Sequence, residues 1–284
     1  MRHPILTTLA VASALALAAL AGRRALSDRS ARELEADLWR SDPPARTFSE
    51  DDLRGLPEPA QRYLRHAVAL GTPLAAACRL EMAGTMRPSP GAPPTDLAAT
   101  EVLAPRTGFV WTARAHVKGL PVRVRDHYHG GEGGVAVTAL GVVPVPLGGE
   151  AADVARSSRG RLVGEAVWCP TALVHPDVRW ETAGDHAARY TIPVDGDPVS
   201  VTLHVAETGA LREVTLDRWG NPDGEPARLH PYGFRVGAEG TFGGVTIPTE
   251  ITGGWGFGAP GYDPSGASSF VVHHVDVASA EPPR

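Results

Sequence analysis

Apolar and polar side chains alternate along two neighbouring segments of this sequence, and this alternation restricts the fold more than any other feature. It runs from Gly108 to Val117 and again over 121–129. Side chains with a period of two lie on opposite faces of a β-strand, one face packed and the other in water. Gly119 separates the two segments, so we predict that they form a hairpin. Further strands are predicted at 78–86, 97–104, 134–141, 178–182, 187–194, 198–206, 211–218, 232–239, 245–252 and 268–277.

Three segments have the spacing of helices instead. An amphipathic helix is predicted over 27–40, and a second begins at Pro57 and ends before Gly71. The segment 149–168 is predicted to be a helix that covers the strands. Many short strands and few helices imply an α+β fold that is mainly β: a large curved antiparallel sheet, or open half-barrel, of about ten to twelve strands. The concave side of such a sheet is filled by side chains, by the covering helices or by a ligand.

The composition excludes several classes of protein. Hydrophobic residues make up 43% of the 284 positions, which is ordinary for a globular protein and too low for a polytopic membrane protein. The net charge is −5 and no basic run is present, so nucleic acid is not expected as a partner. Cys78 and Cys169 are the only cysteines, and they give neither a zinc spacing nor a disulfide framework. We expect two buried free thiols.

The uncharged segment from Ile5 to Ala21 is predicted to be an apolar helix that sends the chain to, or across, a membrane. Its 17 residues span roughly 25 Å as a helix, against a bilayer core of about 30 Å, so an anchor is short but workable. Small residues near Ala21 also fit a cleavage site, which leaves a removable signal peptide open. Arg23 and Arg24 favour a cytoplasmic flank, whereas a signal peptide places the domain outside the cytoplasm. We predict a membrane location and prefer the outside.

The chain divides into four predicted parts. Residues 1–25 form the signal-anchor or signal peptide, and residues 26–56 form the amphipathic helix and a proline-containing linker. Residues 57–278 are predicted to be a single β-rich half-barrel domain, a size that can bury a substantial core. Residues 279–284 form a C-terminal tail.

Several short motifs occur together along the predicted domain. They are Leu56-Pro57 with Gln61-Arg62-Tyr63-Leu64, Gly108-Phe109-Val110-Trp111, Asp126-x-Tyr128-x-Gly130, Arg161-x-x-x-Glu165-x-x-Trp168-x-Pro170-Thr171-Ala172-Leu173, Trp180-Glu181 and Gly244-Val245-Thr246-Ile247-Pro248. In this combination the chain resembles a family of uncharacterised bacterial proteins, a domain of unknown function, over residues 55–277. The resemblance implies a fold of the lipoprotein-carrier type, an open half-barrel with helices across its concave side and a hydrophobic cavity. It implies no activity.

Four charged residues are predicted to lie at or near the interior of the half-barrel. Asp126 shares an apolar strand face with Tyr128, Arg218 lies on another such face, and Arg161 and Glu165 are spaced to pair on the covering helix. A buried charge without a partner costs several kcal/mol, so these groups should pair with one another. We interpret them first as an ion network that joins helix to sheet. The alternatives are a polar anchor for a ligand headgroup and an acid/base pair.

Trp111, Trp168, Trp180 and Trp255 are candidates for the aromatic lining of a ligand pocket. Trp111 and Trp180 lie on apolar strand faces, where packing in the core is the ordinary outcome. Trp168 ends the predicted covering helix. Trp255 follows two glycines in a segment predicted to be a flexible loop. It is therefore the best placed of the four to close the mouth of a cavity.

Neither a metal ion nor another cofactor is expected. His127 and His129 face the same side of a predicted strand, as metal ligands would. Arg123 and Arg125 share that face, however, and their charges oppose a divalent cation. The sequence also has no glycine loop that opens a helix for phosphate binding and no nucleophile elbow.

Three functions remain open at this point. The first is a membrane-tethered or exported protein that binds or carries a lipid or other hydrophobic ligand, which requires an apolar cavity between sheet and helices. The second is a non-catalytic envelope module that binds a protein partner, which requires an exposed apolar patch. The third is an enzyme that uses Asp126 or Glu165 as acid or base, with that carboxylate in an open cleft away from arginine. We rank the binding protein first.

Overall fold

The protein is built on one open sheet of antiparallel strands. A computed structural model describes residues 4–40, 45–87 and 92–279, and the side chains of residues 18–278 within those ranges. This part of the chain contains β1 (Ala75–Met86), β2 (Thr95–Ala104), β3 (Gly108–Val117), β4 (Leu120–His129), β5 (Glu132–Ala139), β6 (Val143–Val145), β7 (Arg179–Gly184), β8 (Ala187–Val194), β9 (Asp197–Val205), β10 (Leu211–Gly220), β11 (Arg228–Phe242), β12 (Val245–Trp255) and β13 (Ser268–Ser279).

The strand order shows that the chain enters the sheet in its middle. Strands β1 to β6 follow one another to one edge, and β7 to β13 return from the opposite edge until β13 pairs with β1. The predicted mainly β fold, a curved antiparallel half-barrel, is confirmed, with thirteen described strands rather than ten to twelve. The strand missing from the prediction is β6, whose three residues are all exposed and therefore show no alternation.

Two helices and two short 3₁₀ turns cover the concave side of the sheet. α2 (Glu58–Ala67) follows Pro57 and buries Tyr63 and Leu64. α3 (Ala151–Gly164) comes after β6 and crosses from β5 to β10, as the predicted covering helix requires. The 3₁₀ turns at 166–168 and 170–174 continue its path over the sheet.

The side chains between sheet and helices form one continuous apolar cluster. Tyr63, Tyr128 and Tyr190 are its largest fully buried side chains, and Tyr190 donates a hydrogen bond to the carbonyl of Val163 in α3 at 2.7 Å. Phe48, from the segment 26–56, is also part of this cluster. Cys78 and Cys169 are free and buried, which confirms the prediction for the two thiols.

A third helix, α1 (Pro4–Trp39), lies on the convex side. Ala31 and Leu38, which belong to the predicted amphipathic helix, pack against Val102 and Val110 in a second, smaller cluster. The helix is continuous through residue 25. Within the described residues, no helix combines the length and the hydropathy that are required to cross a bilayer.

The segment around Trp255 differs from the prediction. β12 extends through Gly253 and Gly254 to Trp255, so the prediction of a flexible loop at this tryptophan is wrong. A Cβ atom at residue 253 would collide with the backbone of Gly233 and Phe234 in β11. Glycine is present here because two strands approach closely, and not because the chain must bend freely.

Candidate functional site

Arg161 lies at the centre of a buried charge cluster between α3 and the sheet. Its Nη1 donates to Oδ2 of Asp126 at 2.8 Å, and its Nε donates to Oε1 of Glu165 at 2.9 Å. Its Nη2 donates to Oε1 of Glu101 at 3.4 Å. The pairing of Arg161 with Glu165 follows from their spacing along the chain. Asp126 lies on β4 and Glu101 on β2, so Arg161 also contacts two strands. The cluster therefore joins α3 to β2 and β4.

Three carboxyl groups in this cluster share one guanidinium. Burial raises the pKa of Glu101 well above its usual range, and the neighbouring Glu165 raises it further. The second oxygen of Glu101, Oε2, is buried and has no hydrogen-bond partner among the described residues. Glu101 consequently keeps its proton to a higher pH than an ordinary glutamate does. Burial lowers the pKa of Arg161, but the surrounding carboxyl groups outweigh that effect and keep it raised.

The arrangement is that of an ion network and leaves little room for acid/base chemistry. The Arg161 guanidinium lies over Phe109 and Trp111, 4.8 and 5.1 Å from their ring centroids. Asp126 and Glu165 are both occupied by this arginine. The enzyme hypothesis required one of these carboxylates in an open cleft away from arginine, and the structure places both beside it.

Glu101 was not among the residues singled out from the sequence. It lies on the face of β2 that also carries Leu97, Ala99 and Leu103, all of which are buried. A glutamate at an apolar position of an alternating strand is the feature that marks a buried, partnered carboxyl group.

Arg218 of β10 lies between two aromatic rings and has no acidic partner among the described residues. Its guanidinium carbon is 4.7 Å from the ring centroid of Tyr232 and 5.0 Å from that of Trp255. Its Nε donates to the backbone carbonyl of Ser157 in α3 at 3.1 Å. The rings and the carbonyl hold the side chain in place. Its two Nη nitrogens remain as donors for an acceptor outside the protein.

Arg218 and Trp255 line an open groove of about 720 Å³, here called the α3 groove. It lies between the first half of α3 and the loop 221–227. A Cβ atom at residue 220 would lie 2.5 Å from Cη2 of Trp255, so the absence of a side chain at Gly220 leaves space for the indole. The groove is lined by Asp126, Val135, Gly148, Gly149, Glu150, Asp153, Val154, Ser157, Ser158, Arg218, Gly220, Asn221, Pro222, Gly224, Glu225, Pro226, Ala227 and Trp255.

The structure brings three of the nine predicted site residues to this groove: Asp126, Arg218 and Trp255. The other six lie outside its lining: Trp111, Tyr128, Arg161, Glu165, Trp168 and Trp180.

Among these six, the hydroxyl of Tyr128 donates to Oδ2 of Asp195 at 2.7 Å. The Nε1 atoms of Trp168 and Trp180 donate to backbone carbonyls at 3.0 and 3.1 Å. Each of these three polar groups is thus used within the protein.

A second groove, of about 1080 Å³, lies on the other side of α3 beside β9 and β10. Arg156 stacks on Trp219 there, 3.7 Å from the ring centroid, and Arg159 pairs with Asp197. Neither groove is the enclosed apolar cavity expected between sheet and helices, because α2, α3 and the 3₁₀ turns occupy that space. A ligand site among the described residues is therefore an open groove beside α3 and not the cavity predicted from the sequence. Within the described part of the chain, no three His, Cys, Asp or Glu side chains are arranged to hold a metal ion.

Solved structures similar to this chain have low sequence identity to it. A LolA superfamily protein from Nitrosomonas europaea is 10% identical, with a TM-score of 0.41, over 77% of this chain and 91% of that one. A DUF1329 family protein from Desulfovibrio piger is 11% identical, with a TM-score of 0.33, over 72% and 86%. A domain named for outer membrane lipoprotein sorting, from Vibrio parahaemolyticus, is 5% identical, with a TM-score of 0.35, over 71% and 85%.

Among curated proteins, none matches the chain. A model described as a family of unknown function, DUF6544, matches residues 46–262, and the chain therefore belongs to that family.

Proposed function

We propose that this protein is a membrane-tethered binding protein that holds a single-chain acidic lipid, such as a fatty acid, in the α3 groove. Arg218 binds the carboxylate of the ligand, and Trp255 contacts the adjoining part of its hydrocarbon chain. The tether is the apolar segment from Ile5 to Ala21, with the domain outside the cytoplasm.

The observation that carries this proposal is the environment of Arg218. The largely buried Arg161 is surrounded by three carboxyl groups, whereas Arg218 has none within ion-pair distance among the described residues. A guanidinium fixed by two rings and one carbonyl is already ordered before a ligand arrives. An incoming carboxylate gains charge-assisted hydrogen bonds without the cost of ordering that side chain.

The other charges of the groove limit the charge of the ligand. Four acids also line it. Asp126 pairs with Arg161 and Asp153 accepts from Nε1 of Trp219 at 2.8 Å, whereas Glu150 and Glu225 have no side-chain partner among the described residues. These acids repel a doubly charged headgroup more strongly than a single carboxylate. The volume of the groove lies within the range of about 300–1,000 Å³ that is common for sites of small ligands. A monocarboxylate with a hydrocarbon chain therefore fits better than a phosphate monoester.

The test is native mass spectrometry of the full chain, released from detergent micelles after incubation with palmitate. We expect one bound palmitate per chain, and weaker binding of the uncharged alcohol of the same length. Arg218→Met should lower the affinity for palmitate about tenfold or more, because a hydrogen bond to a charged group contributes about 1.5–3 kcal/mol.

Arg156→Met is the matched control. Arg156 also stacks on a tryptophan, but it lines the other groove, so this substitution should leave palmitate binding unchanged. Equal binding of palmitate and its alcohol, or equal losses in the two arginine variants, would contradict the proposal.

A further inference from the structure

Exposed apolar side chains cluster at the end of the sheet where two turns lie side by side. Leu120 begins β4 immediately after the turn at Lys118, and Leu140 lies in the turn between β5 and β6. The amide of Leu140 donates to the carbonyl of Pro121 at 2.9 Å, which joins the two turns. Leu120, Leu140 and the nearby Val143 are 49%, 57% and 43% exposed, so three large apolar side chains face water together.

The helix α1 reaches the same end of the sheet. Nη1 of Arg24 is 2.9 Å from the position that a Cβ of Gly141 would occupy. Leu20 and Arg23 line a groove of about 280 Å³ together with Val142 and other residues of β4, β5 and β6. From this contact the helix continues back to Pro4 through the apolar segment. The exposed leucines therefore lie where the proposed tether leaves the sheet.

This end is basic in a chain whose net charge is −5. Arg24, Arg123 and Arg125 all pair with the single carboxylate of Asp28. Arg23 and Lys118 form no ion pair among the described residues. The excess of positive charge complements a surface that carries negative charge.

We propose that a docking edge, formed by Arg23, Arg24, Lys118, Leu120, Leu140 and Val143, lies against the headgroups of a bilayer that contains anionic lipids. The apolar side chains enter the interfacial region, and the cations contact lipid phosphates. This inference rests on the membrane association in the proposed function and is independent of the palmitate site. It gives the domain one orientation on the membrane instead of free rotation about its tether.

The experiment uses the full chain with an environment-sensitive fluorophore on Leu140→Cys, since the native thiols are buried. The labelled protein is reconstituted into vesicles of phosphatidylcholine alone and of equal parts phosphatidylcholine and phosphatidylglycerol, and flotation is measured in parallel. We expect a blue shift and protection from iodide quenching in the mixed vesicles, and less of both in phosphatidylcholine. The matched control is Leu229→Cys, which is 53% exposed and belongs to β11; its label should stay accessible in both.

The charge requirement is tested with Arg23→Glu combined with Lys118→Glu. This pair should remove the difference between the two lipid mixtures, whereas Arg179→Glu combined with Arg212→Glu, at exposed positions on β7 and β10, should retain it. If the protein floats with the vesicles but iodide quenches the label at residue 140 fully, the docking edge is contradicted and the tether is not. If the protein does not float, both the docking edge and the tether are contradicted. Protection that is equal in the two lipid mixtures and rises with protein concentration assigns the edge to a protein contact and also overturns the inference.

Discussion

Oε1 of Glu101 lies 3.4 Å from Nη2 of Arg161, and the other oxygen of this carboxyl group has no hydrogen-bond partner among the described residues. The contact links the buried charge cluster to the groove above it. Arg161 follows Ser157 by one turn of α3, and the carbonyl of Ser157 accepts the hydrogen bond of Arg218. The pairing that fixes α3 on the sheet thus also fixes one wall of the α3 groove.

Removal of Arg161 should destabilise the protein strongly. In Arg161→Met, the carboxyl groups of Asp126, Glu165 and Glu101 lose their common partner inside the protein. We expect the free energy of unfolding to fall by about 3–5 kcal/mol, measured by chemical denaturation. Arg159→Met on the same helix removes only a pair with the exposed Asp197, so its loss should be about 1 kcal/mol or less. Similar losses in the two variants would show that the cluster has no special role.

Glu101→Gln should change how stability depends on pH. The folded protein keeps the proton of Glu101 at pH values where the unfolded chain, with an ordinary carboxyl pKa of 4.5, has lost it. The free energy of unfolding of the wild-type protein therefore falls as the pH rises from about 4.5 towards the raised pKa of Glu101. The glutamine variant lacks this proton equilibrium. Its free energy of unfolding should improve relative to wild type between mildly acidic and neutral pH, and parallel curves would refute the assignment of the proton.

Gly220→Ala should disturb the α3 groove through Trp255. The new methyl group would lie 2.5 Å from the indole, so the ring must shift from its present position beside Arg218. We expect a shift in tryptophan fluorescence, weaker binding of palmitate, and a loss of stability of about 1–3 kcal/mol. Gly148→Ala is the control, because it lines the same groove and its methyl group would meet nothing within 4 Å. An unchanged fluorescence spectrum in Gly220→Ala would contradict the predicted movement of the ring.

The two cysteines should be unreactive in the native protein. A hydrogen bond to Cys169, together with burial, raises the pKa of the Cys78 thiol well above its usual range, and the same bond lowers the pKa of Cys169. Both side chains are fully buried, so even the Cys169 thiol is shielded from reagents in water. Titration with a chromogenic disulfide should release almost no product until denaturant is added, and then two equivalents. Release of one equivalent from native protein would show that a thiol is accessible.

Most of the sheet could be predicted from the sequence because alternation is a local property. Strands such as β9 turn one face to the core and the other towards water. Val201, Leu203 and Val205 of β9 are buried, and the residues between them are more exposed. β6 was missed because all three of its residues are exposed. The glycines before Trp255 predict a loop, whereas the structure shows a strand. Glycine occurs both where the backbone is flexible and where two strands approach closely, and the sequence alone does not separate these cases.

The candidate site was less predictable because it depends on contacts between distant parts of the chain. Arg218, Tyr232 and Trp255 belong to three strands, and Ser157 reaches them only because α3 crosses the sheet. The alternation of side chains predicts that Arg218 and Asp126 lie on inward faces. It does not indicate that Asp126 pairs with Arg161, or that Arg218 has no acidic partner among the described residues. Partner choice is set by the crossing of α3, which no local pattern describes.

The pairing of β13 with β1 has a consequence for the order of folding. β1 leaves the ribosome long before β13, yet the two are neighbours in the centre of the sheet. Until β13 has been synthesised, each half of the sheet has an uncovered central strand that can pair with other chains. The protein therefore cannot complete its hydrogen-bonded centre before β13 has left the ribosome. Pairing of this last strand with β1 then joins the two halves of the sheet.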